Sequence, residues 1–177
     1  KDTCKVASTF GAKGVIVHGG SVGEGGDISD GYDNWRKALE YVEDTGMKVL
    51  VENTAGGKNS VARYMDSIDR LWEVIGHLNV GLCLDTCHTW AGGIPTIDAV
   101  KGFKKLVKKI DLIHFNDSKD GFESSRDRHE NLGKGKIPKE ELEYVIKNAK
   151  TDIIVETPNG PDAQKKDIAW IKRRLKK

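Results

Sequence analysis

Short runs of aliphatic and β-branched residues recur along this chain, separated by longer polar segments whose apolar positions repeat at helical spacing. The runs are Val15 to His18, Val49 to Glu52, Val80 to Asp85, Leu112 to Asn116 and Ile153 to Glu156. Between and after them the periodicity predicts helices over Trp35 to Asp44, Asn59 to Leu78, Ile97 to Lys109, Lys139 to Ala149 and Asp162 to Lys177, with Lys1 to Phe10 as the end of a helix feeding the first strand. Pro138 suits a first helical turn, and Asn59-Ser60 reads as a cap. Strands alternating with helices predict an α/β fold with a parallel sheet.

Each run carries at or near its end a residue that can bind metal: His18, Glu52, Asp85, His114 and Glu156. Their separations of 34, 33, 29 and 42 residues are close to the ~31 expected when about 250 residues make the eight βα units of a barrel. The C-terminal rim of such a barrel gathers strand-end residues around one site. Only five strands are visible, and an eight-stranded barrel needs about 200 residues or more, so the chain is expected not to close.

Composition narrows the class without naming a partner. With 177 residues, 37% hydrophobic and 32% charged, the chain can bury one ordinary core, so residues 1–177 are expected to form a single domain. No apolar run approaches the roughly 18 residues of a membrane span, and no signal peptide precedes the first strand; a cytoplasmic setting with no membrane partner is expected. Three cysteines, Cys4, Cys83 and Cys87, fit free thiols. The net charge of +2 neither demands nor excludes nucleic acid, because the footprint depends on which face the cations occupy.

Imidazole mixed with carboxylate suits zinc or manganese better than magnesium or calcium. Two local clusters add to the strand ends. Asp85 and His88 lie three positions apart where the chain leaves a strand, and Asp127 and His129 alternate, which in extended chain puts them on one side. Alone, each residue reads equally well as a satisfied polar group or a helix cap. Together they can hold more than one metal. His77, at the end of a helical pattern, is excluded.

The segments Glu52-Asn53-Thr54-Ala55-Gly56, Gly81 to His88, His114-Phe115-Asn116-Asp117-Ser118, Asp127-Arg128-His129 with Leu132 to Ile137, and Glu156-Thr157-Pro158 resemble, in order, the motifs of the endonuclease IV family. His18-Gly19-Gly20 is similar to that family's histidine-proline-glycine turn. The resemblance implies a (β/α)8 TIM barrel, here an incomplete C-terminal portion with about five βα units, and three zinc ions at its rim. His18 and Glu52 would serve the first zinc, which lacks one histidine ligand here. Glu52 would bridge to a second zinc completed by Asp85, His114 and Glu156. His88, Asp127 and His129 would hold the third.

The resemblance further implies base excision repair: hydrolysis of the phosphodiester 5′ to an abasic site in duplex DNA, with Glu156 and Glu52 as the catalytic carboxylates. The expected partner is abasic duplex DNA, the expected place the nucleoid, and a complete barrel would be a monomer. The residues by themselves license only metal-assisted hydrolysis or isomerisation. Arg126, Arg128 and Lys134, with Lys119 and Lys136, are candidates for phosphate contact, though charged loops are as often simply solvated. The glycines of Leu132 to Ile137 fit either a phosphate-binding backbone or a tight turn. Trp90 is expected in the core rather than as a wall of the site. Cys87 is not expected to be a ligand. The Lys172 to Lys177 run is expected to end a helix whose Ile168, Ile171 and Leu175 face the sheet. Two other readings compete: a sugar isomerase or epimerase of the same barrel superfamily, which holds one or two ions, and a catalytically incomplete metal-binding fragment.

Overall fold

The computed structural model describes residues 1–176. Among these, the alternating runs build seven strands in chain order: β1 (Val15–His18), β2 (Val49–Glu52), β3 (Val80–Asp85), β4 (Leu112–His114), β5 (Asp117–Ser118), β6 (His129–Glu130) and β7 (Asp152–Ile154). Five of the strands form one all-parallel sheet in the order β1-β2-β3-β4-β7, and β5 pairs antiparallel with β6 as a small separate ribbon. Seven α-helices accompany them among the described residues: α1 (Asp2–Thr9), α2 (Ile28–Val42), α3 (Met65–Ile75), α4 (Thr86–Gly92), α5 (Thr96–Val107), α6 (Lys139–Ala149) and α7 (Gly160–Leu175). Each sheet strand is followed by a helix, which makes five βα units, a partial barrel.

Strand parity divides the side chains between two destinations. Val51, Leu82, Leu84 and Ile113 join Ile68, Leu71, Phe103, Leu142 and Val145 in one fully buried core between sheet and helices. Burying each such side chain stabilises the fold by about 1.5–3 kcal/mol. The helices pack on their neighbours in turn, α2 on α3, α3 on α5, α5 on α6 and α6 on α7. The opposite parity carries Glu52, Asp85 and His114 at the C-terminal strand ends, where in-register pairing sets His18 beside Glu52 and Asp85 beside His114.

β1, β2, β3 and α6 follow the hydrophobic pattern to the residue. Elsewhere the boundaries move for identifiable reasons. Asp27 caps α2, accepting the Ser29 N–H at 2.9 Å, so that helix starts at Ile28 rather than Trp35. Asn59 does not cap α3. It sits at φ 52° and its amide bonds the carbonyls of Gly23 and Gly26, stapling two loops, and α3 begins at Met65. β4 ends at His114 and β7 spans Asp152–Ile154, so Asn116 and Glu156 lie just past the strands.

On α7, Ile171 is buried but Ile168 and Leu175 are exposed, which corrects the expectation that all three face the sheet. Asp167 and Trp170 take the inner positions instead. Lys177, included in that predicted helix, lies outside the described residues. β1 and β7 are the sheet's two edges, and Val17 and Ile154 stand exposed on them.

Candidate metal centre

At the tip of β3 the chain turns straight into α4, because Asp85 is that helix's N-cap. Its Oδ1 accepts the backbone N–H of His88 at 2.8 Å. One residue is therefore both strand end and cap, and it fixes where the imidazole three positions on can point. The β5–β6 ribbon, which no periodicity signals, brings His129 back over the same rim, and the preceding loop delivers Asp127.

The eight side chains singled out as ligands converge. Within each of several groups the donor atoms lie within 4.8 Å of one another: Glu52, Asp85, His114 and Glu156; His88, Asp127 and His129; and His18, Glu52 and His88. His114 Nδ1 stands 3.0 Å from Glu52 Oε1 and 3.1 Å from Glu156 Oε2. His18 Nε2 is 3.5 Å from Glu52 Oε2. Glu52, Asp85, His88 and His114 are buried, while His18, Asp127 and Glu156 open to solvent. His77 is exposed in the turn after α3 and belongs to none of these groups.

These residues fit zinc on a structural ground. His88 Nδ1 lies 2.8 Å from the Asn53 carbonyl and His129 Nδ1 3.2 Å from the Glu156 carbonyl, so each ring has an acceptor for an Nδ1–H. Their Nε2 atoms are buried without a hydrogen bond, although both stand 3.1 Å from the same Asp127 oxygen. Two nitrogens and a carboxylate oxygen thus gather within 4.8 Å of one another without forming a well-aligned hydrogen bond, and an imidazole whose Nδ1–H is held by a carbonyl is the usual form of a metal-bound histidine. Donors around one zinc at 2.0–2.1 Å stand roughly 3.3 Å apart, close to the separations here.

Electrostatics agree. Burial depresses the pKa of His88, but Asp85, Asp127 and Glu52 outweigh it and raise the value to about 10. Burial likewise opposes, and Asp127 and Asp85 overcome, at His129, which rises to about 9. The imidazoles of His129 and His88 hold Asp127 well below the usual carboxylate range. The cluster demands positive charge, supplied by protons or by cations. Cys83 also lies within ligand range of Glu52 and His114, and Cys87 of Asp85 and His129; without a metal, burial pushes the Cys87 thiol up to about 12 and Cys83 higher still.

The loop cations behave less simply. Arg128 is bound through Nε to Asp120 Oδ2 at 2.7 Å and again through Nη2, and Arg126 stands 3.7 Å from the same carboxylate. Both remain more than half exposed, and Lys134 is exposed as well. The glycine loop does not offer its N–H groups to a ligand. Gly133, Gly135 and Ile137 donate to the buried Asp117 carboxylate at 2.9, 3.0 and 3.1 Å, which makes it a closed turn. Trp90 packs edge-on against Phe122 and donates to the Asp120 carbonyl, a packing role as expected. Asn53, Thr86, Asn116 and Asp117, polar and buried around the cluster, lie inside the quoted motifs but receive no role from the sequence, because most of their partners lie far along the chain, about thirty residues away for the first three.

Comparison with known proteins adds a lineage. A family model described as xylose isomerase-like TIM barrel matches residues 1–174. The chain is 48% identical over 174 residues to a probable endonuclease 4 of Mycobacterium bovis, covering 98% of this chain and 68% of that protein. It superposes on the crystal structure of endonuclease IV from Thermus thermophilus with a TM-score of 0.80 at 28% identity, covering 99% of this chain and 66% of that one. A D-tagatose 3-epimerase-like protein shares the fold with a TM-score of 0.75 at 19% identity, again over 99% of this chain and 66% of that one. The chain thus spans about two thirds of the length of these relatives.

Proposed function

We propose, on the premise that this chain belongs to the xylose isomerase-like TIM barrel family and to its endonuclease IV members, that it carries the zinc site of an apurinic/apyrimidinic endonuclease, which hydrolyses the phosphodiester 5′ to an abasic site in duplex DNA. We read residues 1–177 as one domain of that enzyme. The observation that carries the reading is the convergence of His88 and His129 Nε2 on Asp127, beside and distinct from the Glu52, Asp85, His114 and Glu156 group. Two such groups sharing a rim favour several ions over the one or two of a sugar isomerase.

Zinc bound there would neutralise negative charge on phosphodiester oxygens and make an attacking water more acidic. The chain's own residues do the rest. Glu156, half exposed with Oε2 3.1 Å from His114 Nδ1, is the carboxylate that would take a proton from the attacking water. Glu52, buried between His18, His88 and His114, is hydrogen-bonded to His114 and lies within 3.5 Å of the other two imidazoles, which together outweigh burial to keep it ionised. Arg126, Arg128 and Lys134 would meet phosphates along the DNA and set its register on the rim.

The test is incubation with a duplex containing one tetrahydrofuran abasic analogue, with and without chelator. Zinc-dependent nicking 5′ to the lesion is expected. Zinc binding without nicking, both by this chain and by a longer chain spanning the full length of the relatives, would overturn the nuclease reading. One bound manganese or magnesium, with isomerase activity on a keto sugar, would replace it.

A further inference from the structure

Asn116 has no place in the ligand set, yet its side chain ties two members of it together. Its Nδ2 donates to Asp85 Oδ2 at 2.7 Å, and its Oδ1 accepts the Glu156 backbone N–H at 2.8 Å. The orientation of the amide is forced: a backbone N–H can only donate, so Oδ1 must face Glu156 and Nδ2 must face Asp85. Asn116 is fully buried and is itself held by Thr86, whose Oγ1 donates to the Asn116 carbonyl at 2.6 Å and accepts its N–H at 2.9 Å. Asp85 Oδ1 is already committed to His88 N. With a directed donor on Oδ2 as well, the carboxylate cannot rotate, and its remaining lone pair on Oδ2 is left for the cluster.

We infer that Asn116 is the positioning residue of the Glu52, Asp85, His114 and Glu156 group: it sets the Asp85 carboxylate and the start of the Glu156 segment at one fixed separation, so that the group binds its ion as a preformed unit. The inference rests on the metal-site reading above but not on the reaction or the substrate. Sequence proximity to His114 alone would not distinguish Asn116 from its neighbours; the two hydrogen bonds do.

The test compares the wild-type chain with Asn116→Asp, which keeps the acceptor toward Glu156 but sets an acceptor where Asp85 needs a donor. Zinc per chain is measured by elemental analysis, affinity by competition with a chromophoric chelator, and the ligand field by cobalt(II) absorption. The expected result is loss of about one ion per chain, or a fall of its affinity by roughly 10–100-fold, with the His88, Asp127 and His129 ion retained and the metal-free chain still folded, at a melting temperature lowered by the mispaired buried oxygens. Unaltered stoichiometry, affinity and cobalt spectrum would overturn the inference. If Asn116→Asp does not fold, Asn116→Ala, which unlinks both partners without adding charge, is read the same way. Global unfolding of both variants would assign Asn116 to the fold rather than the site. Zinc uptake without nicking, by this chain and by the longer chain alike, would remove the nuclease reading and leave this inference standing; no zinc uptake at all would remove both.

Discussion

Asp85 Oδ1 accepts the backbone N–H of His88 at 2.8 Å, so the residue that ends β3 also starts the helix carrying one of the imidazoles. The bland reading of a strand-end acid as a cap and the chemical reading of it as a ligand are compatible here, because its two oxygens face different partners.

This double use separates two substitutions. Asn caps a helix nearly as well as Asp, whereas losing a cap to Ala costs about 1 kcal/mol. Asp85→Ala is therefore expected to destabilise the metal-free chain by about 1 kcal/mol more than Asp85→Asn, while both lose metal. Urea unfolding of the metal-free variants reads the difference; equal stabilities would show that the cap contributes nothing.

Glu156→Gln keeps the shape of the side chain and the backbone bond to Asn116 but loses proton affinity. Nicking is expected to fall by about 10²–10⁴-fold, the usual worth of a general base, with most zinc retained. Turnover equal to wild type at matched zinc content would remove Glu156 from the proton transfer.

The metal-free chain should be pH-sensitive in a defined direction. His88 and His129 have folded pKa values raised to about 10 and about 9, above the roughly 6.5 of an unfolded histidine. Their contribution to stability is complete below about pH 6.5 and is lost as pH rises through about 9 and 10. Melting temperature followed from about pH 6 to about pH 10 should decline in the metal-free chain and decline less with zinc, which replaces the protons. A metal-free profile flat across this window would contradict the charge-demanding cluster.

Asp117 closes the loop after β6 with four backbone N–H groups, from Ser118, Gly133, Gly135 and Ile137. Asp117→Asn turns one oxygen into a donor and leaves buried N–H groups unpaired, at about 1–3 kcal/mol each. Faster amide hydrogen exchange at Gly133 and Gly135 is the expected signature. Unchanged protection there would mean that the loop is held by its apolar contacts, Leu132 and Ile137, instead.

What the sequence determined by itself was local and periodic: β1, β2, β3 and α6 to the residue, a parallel α/β order, and acids and imidazoles at strand tips 29 to 42 residues apart. These follow from hydrophobic repeats that each segment carries alone. Tertiary structure decided the rest. The ribbon that returns His129 to the rim is only two residues per strand, too short to show a repeat. Whether the glycine loop served a phosphate or a turn depended on where Asp117 stood, and the bridging of Asp85 and Glu156 by Asn116 spans 31 and 40 residues. Such hydrogen bonds exist only once strand register brings distant residues within about 3 Å, and no single stretch of chain encodes that distance.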